Sequence, residues 1–189
     1  MPAMQIRPAT PADAAFLADI DGTIESTRYL HLDRSGEDLT PAWHIEERPL
    51  RQRLISPNPL DNDACFLLRQ ITAGADEGLA LVAEHENLII ACLIAQPRPH
   101  TSTLRLIDLR VDYDQRRQGL GFSLLCQAIQ HARQLQFRAV SARTFTNNIP
   151  AARLLLKLGF QLTGLDTHHH SNHDLVKESV TLFWHAALD

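Results

Sequence analysis

The chain has 189 residues, of which 44% are hydrophobic and 21% are charged, and its formal net charge is -4 at pH 7. This length and composition predict one globular domain over residues 1–189. The mildly acidic balance argues against nucleic acid as a partner, and the lack of an 18-residue apolar run argues against a membrane. Three cysteines without a close pair fit a reducing compartment, so we expect a cytoplasmic protein.

The first third of the chain predicts few regular elements. Residues 4–7 have the character of a short strand, and apolar residues from Ala14 to Ile20 indicate a helix. Prolines break residues 22–63 into short pieces, with a helix expected at 45–54. We interpret 22–63 as a variable region that forms a lid or a substrate-facing wall.

The pattern is more regular from residue 64 onward. Apolar or alternating segments predict strands at 64–71, 79–84, 88–95, 104–111, 138–144, 160–165 and 178–184. A long helix follows Gly121, with Leu125, Ala128, Ile129, Ala132 and Leu135 on one face. Another helix begins at Asn148 and ends near Lys157. This order predicts a mixed sheet with helices on both faces, in the α/β or α+β class.

A glycine-containing loop joins the predicted strand that ends at Val111 to the long helix. Its sequence is Arg116-Arg117-Gln118-Gly119-Leu120-Gly121, and a helix N-terminus with basic neighbours favours an anion. The Walker A pattern fails here, and the dinucleotide fingerprint fails because Leu124 stands where its third glycine belongs. The pattern Arg/Gln-x-x-Gly-x-Gly/Ala, which binds the pyrophosphate of coenzyme A, matches in full. By itself the loop indicates only a phosphate binder, and an ordinary turn remains the alternative.

The surroundings of the loop resemble a known family. Leu106–Gly121 is similar to the central motif of the GNAT superfamily of N-acetyltransferases, and Asn148–Phe160 resembles its second motif, Asn-x-x-Ala-x-x-Leu-Tyr-x-Lys-x-Gly-Phe. Within the superfamily, residues 146–152, 164–167 and 180–184 look most like streptothricin acetyltransferases. The resemblance implies a mostly antiparallel central sheet, acetyl-coenzyme A as cofactor, and acetyl transfer to a primary amine. The acceptor is an antibiotic-like or polyamine-like small molecule or a peptide N-terminus, and a homodimer is a further expectation.

The same resemblance implies which residues hold the cofactor. Backbone amides from Arg117 to Gly121 bind the pyrophosphate with help from the Arg116 side chain, and the strand edge from Leu109 to Val111 pairs with the pantetheine arm. An N–H near Leu109 polarises the thioester carbonyl. The predicted cofactor-binding residues are Leu109, Val111, Arg116, Arg117, Gln118, Gly119, Leu120, Gly121 and Asn148.

Asp108 is the predicted catalytic side chain, together with the backbone of Leu109. It is an acidic residue in an apolar strand, suited to act as the base or to anchor the amine, although an ion pair with Arg105 or Arg110 explains it equally well. Streptothricin-type relatives often have Glu at the preceding position, where this chain has Ile107. Glu84 and Glu86 are weaker alternatives.

Leu155 is the main departure from the family pattern, because the motif has a tyrosine there that often protonates the coenzyme A thiolate. Leucine cannot donate a proton, so another group such as Ser123 serves, or no side-chain acid is needed. These departures favour the alternative function, a coenzyme A-binding sensor or interaction protein without turnover.

Four clustered histidines, His168–His170 and His173, lie between the last two predicted strands. Consecutive residues of a strand point to opposite faces, so only His168 and His170 share one. We expect a polar loop and no metal site, with a substrate-facing role or a structural metal as the alternatives.

Overall fold

A computed structural model describes residues 4–37 and 39–188, so residues 1–3, 38 and 189 of the predicted domain lie outside the described residues. The strands are β1 (Gln5–Pro8), β2 (Ile24–Ser35), β3 (Ala42–Ser56), β4 (Leu79–His85), β5 (Leu88–Arg98), β6 (Thr103–Val111), β7 (Ala139–Phe145), β8 (Gln161–Asp166) and β9 (Thr181–Ala187). The α-helices are α1 (Asn62–Thr72), α2 (Leu120–Gln134) and α3 (Ile149–Lys157). Short 3-10 helices occur at Pro11–Ala15, Leu17–Asp19, Pro99–Thr101 and Tyr113–Gln115.

The chain divides into two compact units. The first combines the residues up to Thr23 with Pro57–Ala142 and the residues from His185 onward, and the second combines Ile24–Ser56 with Arg143–Trp184. The boundaries fall inside β7 and β9, so both strands contribute residues to each unit. The assignment of residues 1–189 to a single domain stays a prediction.

In the first unit the strand order is β1-β4-β5-β6-β7, and every pair is antiparallel except β6 with β7. Side chains alternate between the two faces of the sheet. One face packs against α1 and the first 3-10 helices in a cluster of Leu17, Ile20, Ala64, Leu67, Leu68, Ala80, Val82, Cys92 and Ile94. The alternate residues of β4 and β5, such as Leu81 and Leu93, are also buried, and α2 packs against β4, β5 and β6. Helices therefore cover both faces of this sheet.

In the second unit, β2 and β3 form a long antiparallel hairpin with a bulge between Ser26 and Arg28. Helix α3 packs against β2. The remaining strands have the order β7-β9-β8. Trp184 is buried and its indole N–H donates to the Thr144 hydroxyl at 2.8 Å, which ties β9 to β7.

The predicted fold class is confirmed, because the sheet is mixed and mostly antiparallel with helices on its faces. Two predicted elements are wrong. Residues 64–71 form part of α1 rather than a strand. The Asp61 carboxylate accepts a hydrogen bond from the Ala64 N–H at 2.7 Å and so caps the N-terminus of the helix. Residues 45–54 form part of β3 rather than a helix, because residues 45–49 and 54 pair with β2. The predicted helix at 14–20 consists of 3-10 turns.

No helix among residues 4–37 and 39–188 is long and apolar enough to cross a membrane.

Arg7 links three segments of the first unit. Its guanidinium donates to both carboxylate oxygens of Asp13, at 2.8 and 2.9 Å, and to the carboxylate of Glu84 at 2.9 Å. Asp13 is buried, and its hydrogen bonds with Arg7 hold the pKa of its carboxyl group well below the usual range. Glu84, considered above as an alternative base, is therefore part of a structural ion pair.

We expect Asp13→Asn to lower the free energy of unfolding by about 2 kcal/mol at pH 7, because it weakens charge-assisted hydrogen bonds in a buried site. Since the folded-state pKa of Asp13 is depressed, its stabilisation is complete above the unfolded pKa of about 3.9 and is lost as the pH falls below it. The difference between wild type and variant should therefore shrink below about pH 4. Urea unfolding at a series of pH values measures it, and a difference independent of pH would contradict the assignment.

Candidate active site

Strand β6 is paired on only one side along much of its length. Its parallel register with β7 joins Thr103, Leu104 and Arg105 to Ala139, Val140 and Ser141 and ends there. Among the described strands, the rest of β6 pairs with β5 alone. Residues 106–111 therefore present an open strand edge.

The hydrogen-bond pattern shows which backbone groups face the open side. The Asp112 N–H donates to the Ile90 carbonyl at 2.8 Å, and in an antiparallel ladder hydrogen-bonded pairs alternate with non-hydrogen-bonded ones. In the observed register, Asp108 and Arg110 bond to β5, whereas the N–H and C=O groups of Leu109 and Val111 point away from it. The Val111 carbonyl accepts from Arg116 Nε at 3.0 Å, which agrees with this orientation.

Strand β6 has a β-bulge where it pairs with β5, immediately before Asp108. The register changes from Ile94 opposite Asp108 to Ala95 opposite Leu106, which leaves Ile107 as the extra residue. Ile107 packs against the apolar cluster under α1. This position therefore serves packing in this chain.

The glycine loop leads from β6 into α2 through left-handed backbone. Arg117 has a φ of 66° and Gly119 a φ of 86°, and Gly119 is the N-cap of α2. A Cβ atom at Gly119 would meet nothing within 4 Å, so the positive φ is what favours glycine here. Gly119 supplies no side-chain cap, so the first N–H groups of α2, from Leu120 and Gly121 onward, keep their capacity to bind an anion.

The Arg116 side chain forms hydrogen bonds with backbone carbonyl oxygens. Its guanidinium donates to the carbonyl oxygens of Val111 at 3.0 Å, Thr23 at 2.6 Å and Asp21 at 3.2 Å, and it lies 5.1 Å from the Tyr113 ring. These contacts fasten the loop to the end of β6 and to residues 21–23, and the sequence-based expectation that the side chain assists phosphate binding stays a prediction. Gln118 is held by Gln115, with its Nε2 3.3 Å from Gln115 Oε1.

Asp108 forms an ion pair with Arg110, its neighbour two residues along the strand. Arg110 Nε and Nη2 donate to the two carboxylate oxygens at 2.7 and 2.8 Å, and Nη1 donates to the Asn58 carbonyl at 3.1 Å. The Arg110 side chain is only 2% exposed and that of Asp108 16%. The structure thus supports the ion-pair explanation of Asp108, because both of its carboxylate oxygens accept from the enclosed Arg110 guanidinium.

Cys92 lies beside the same ion pair, with its Sγ 3.8 Å from Asp108 Oδ2. Burial, followed by the charge of Asp108, raises the pKa of the Cys92 thiol far above its usual value. Cys92 is therefore a buried neutral thiol and not a nucleophile at neutral pH.

Asn148 belongs to the second unit, and the other predicted site residues belong to the first. Its side-chain oxygen accepts from Ala151 N at 3.3 Å and so caps α3. Leu155 is buried on the inner face of α3. Asp108, Leu109, Val111 and the loop from Arg116 to Gly121 do come together, because they follow one another from β6 into α2.

The histidines lie between β8 and β9, as predicted. His169 Nε2 is 2.9 Å from Arg143 Nη1 and its Nδ1 is 3.4 Å from Asp166 Oδ2, whereas the N–H of His170 donates to Asp174 at 2.8 Å. Within residues 4–37 and 39–188, no cluster of His, Cys, Asp or Glu could hold a metal ion. These contacts favour a structural role for the loop.

From the sequence alone, Arg110 is one of several candidate ion-pair partners for Asp108. The signal was present in the spacing, since residues two apart on a strand share a face. What the spacing does not show is that the Arg110 side chain is enclosed and also holds the Asn58 carbonyl. That burial makes the pair structural.

Comparison with known proteins relates this arrangement to acetyltransferases. Residues 38–160 match the acetyltransferase (GNAT) family. Streptothricin acetyltransferase of Escherichia coli is 31% identical over 75 residues, which span 40% of this chain and 43% of that protein. The crystal structure of nourseothricin acetyltransferase superposes with a TM-score of 0.80 at 20% identity over 99% of each chain. A Bacillus anthracis str. Ames protein solved in complex with acetyl coenzyme A gives a TM-score of 0.76 at 20% identity, covering 98% of this chain and 100% of the other.

We expect Asp108→Asn to lower the free energy of unfolding by about 3–5 kcal/mol, because it leaves the buried guanidinium of Arg110 without an anionic partner. The double variant Asp108→Leu/Arg110→Met should recover most of this loss, since it removes both charges. Urea unfolding of the two variants measures the difference. Equal stability of Asp108→Asn and wild type would show that the ion pair is not structural.

Proposed function

Since this chain belongs to the acetyltransferase (GNAT) family, we propose that it is an acetyl-coenzyme A-dependent N-acetyltransferase acting on a primary amine of a small molecule. The observation that carries the proposal is the open edge of β6 leading directly into the uncapped start of α2. One feature suits an extended amide-containing chain and the other suits a phosphate. Coenzyme A contains both, joined in that order.

The backbone of the glycine loop supplies the phosphate site. The N–H groups from Arg117 to Gly121 lie at the positive end of the α2 dipole, and the left-handed residues turn the chain there. The negative charge of a pyrophosphate is stabilised by such amides without a lysine or a metal. In this proposal Arg116 shapes the loop through its carbonyl contacts rather than touching the phosphate.

The open edge of β6 supplies the site for the pantetheine arm. Leu109 offers both its N–H and its C=O, and Val111 offers its N–H, because the Val111 carbonyl already accepts from Arg116. Amides of an extended ligand can pair with these groups as an added strand would. The bound cofactor provides an activated acetyl thioester, and the Leu109 N–H stabilises negative charge developing on the acetyl oxygen, which is typically worth about 3 kcal/mol for one donor.

The acceptor amine must lose a proton before it attacks, and the sequence predicts Asp108 as the base or amine anchor and no side-chain acid at Leu155. An alkyl ammonium has a pKa of about 10.4, so less than ~0.1% is neutral at pH 7. Asp108 is engaged by Arg110, and Leu155 cannot exchange protons. The leaving thiolate needs little help, because a free thiol has a pKa of about 8.5.

The relatives favour a small-molecule acceptor. The partial sequence relative is named for streptothricin and the superposing crystal structure for nourseothricin. We therefore place an antibiotic-like amine ahead of a polyamine and a peptide N-terminus as the substrate.

We expect acetyl-coenzyme A to bind with micromolar affinity and Gly121→Glu to weaken that affinity by at least about 100-fold, because it sets a carboxylate among the amides that hold the pyrophosphate. Gln127→Glu is the matched control, since it adds the same charge at an exposed position in the middle of α2. Calorimetric titration of the three proteins measures the affinities, with circular dichroism to verify folding. Retained affinity in Gly121→Glu would refute the placement of the pyrophosphate.

Thiol release tests turnover separately from binding. We expect free coenzyme A to appear when acetyl-coenzyme A and streptothricin-class antibiotics are supplied together, and less with polyamines or peptides. Binding without thiol release across the whole panel would contradict the enzyme and support a coenzyme A-binding protein without turnover.

A further inference from the structure

Residues 21–23 are hydrogen-bonded to the start of the glycine loop, which lies more than 90 residues further along the chain. The Arg116 guanidinium donates to the carbonyl oxygens of Thr23 at 2.6 Å and Asp21 at 3.2 Å. In the opposite direction, the Asp21 N–H donates to the Asp112 carboxylate at 3.1 Å. All of these residues belong to the first unit. The short segment therefore binds both the residue that follows β6 and the residue with which the loop begins.

The Asp21 side chain closes the turn that presents these backbone groups. Its carboxylate accepts from the Thr23 N–H at 2.9 Å, and the Thr23 hydroxyl also hydrogen-bonds to it. The Thr23 hydroxyl, and after it the Thr23 N–H, lowers the pKa of Asp21, so the carboxylate is ionised at neutral pH. An aspartate that accepts from the N–H two residues further on stabilises a turn. This turn brings the carbonyl oxygens of Asp21 and Thr23 to one guanidinium.

Gly22, between the two residues of this turn, is packed too closely for a side chain. It is buried, and a Cβ atom there would lie 2.6 Å from the Asn58 carbonyl oxygen and 3.2 Å from Arg110 Nη1. The Asn58 carbonyl is itself held by Arg110 Nη1 at 3.1 Å. The turn therefore packs against a group that β6 fixes in place, and it also binds Arg116.

The glycine loop needs such a restraint because its backbone is left-handed directly after Arg116. Arg117 has a φ of 66°, which is unfavourable for a residue other than glycine. Arg117, Gln118 and Gly119 are also exposed, so burial does not hold them in place. Binding of Arg116 by three carbonyl oxygens restrains the chain where the loop begins. A loop that is ordered before its ligand arrives loses less conformational entropy on binding.

We propose that Asp21 is a positioning residue for acetyl-coenzyme A, an inference that rests on the proposed placement of the pyrophosphate at the glycine loop. Asp21 acts through the turn that it closes and through Arg116, which the turn binds. The expected effect of the turn is opposite in sign to that of the Asp21 charge. A carboxylate close to the loop repels a pyrophosphate, so removal of the charge alone strengthens binding, whereas loss of the turn weakens it.

The test compares wild type with Asp21→Ala and Asp21→Asn, which both remove the negative charge. Only asparagine keeps a side-chain oxygen that can accept from the Thr23 N–H. We expect Asp21→Ala to raise the Kd and KM for acetyl-coenzyme A by about 10-fold, roughly the effect of one hydrogen bond, and to leave kcat at saturating cofactor unchanged. Asp21→Asn should restore binding close to that of wild type. Calorimetric titration and thiol release at a series of cofactor concentrations measure these constants.

Asp19→Ala is the matched control, because it removes an exposed carboxylate only two residues away, and it should not weaken binding. A double-mutant cycle with Arg116→Ala tests the route of the effect. Since Asp21 acts through Arg116, Asp21→Ala should raise the Kd little further when Arg116 is already alanine. Circular dichroism verifies that each variant is folded.

Unchanged or tighter binding by Asp21→Ala contradicts the positioning role, and so does equally weak binding by Asp21→Ala and Asp21→Asn or full additivity with Arg116→Ala. These outcomes leave the proposed cofactor site intact, because Gly121→Glu tests that site separately. Absence of acetyl-coenzyme A binding by wild type overturns both proposals. If Asp21→Ala does not fold, Thr23→Val decides the question, since it removes only the hydroxyl donor: binding about 3-fold weaker supports the role, and unchanged binding contradicts it.

Discussion

Strand β6 stops pairing with β7 after Arg105. The rest of the site depends on the open strand edge that results. A strand edge with unpaired amides is costly to bury and promotes unwanted pairing when exposed. In this chain the bulge at Ile107 and the hold of Arg116 on the Val111 carbonyl keep the edge in a defined shape. The same residues determine where β6 ends, how the loop turns and where α2 begins. A ligand that pairs with this edge therefore satisfies backbone groups that the fold leaves open.

Several charged side chains of the first unit form ion pairs or hydrogen bonds that hold its segments together. Asp108 and Arg110 neutralise one another, Arg7 joins Asp13 to Glu84, and Arg116 binds carbonyl oxygens. Groups fixed in this way hold a site rigid, but they are poorly suited to gaining and losing protons.

Much of this site could be predicted from the sequence, because its main features are local. The strands at 79–84, 88–95 and 104–111 are short apolar or alternating segments, and the glycine loop needs left-handed backbone at Gly119. Features that depend on distant partners were missed. The pieces around Pro49 became one strand only through pairing with β2, and Arg116 found carbonyls of residues 21 and 23 that no spacing indicates. The helix at 62–72 could have been predicted from Asp61, whose capping position was overlooked.

Each unit is built from segments that are distant in the sequence, and this affects folding during synthesis of the chain. The first unit uses the residues up to Thr23 and Pro57–Ala142 but also the segment from His185 onward, where the Leu188 N–H donates to the Arg138 carbonyl at 2.9 Å. A ribosome adds roughly 5–20 residues per second, so this segment emerges several seconds after β7. During that interval β7 lacks β9, and its unpaired edge is exposed to other nascent chains. Synthesis order, rather than final stability, thus sets the moment at which this fold is most exposed to misassembly.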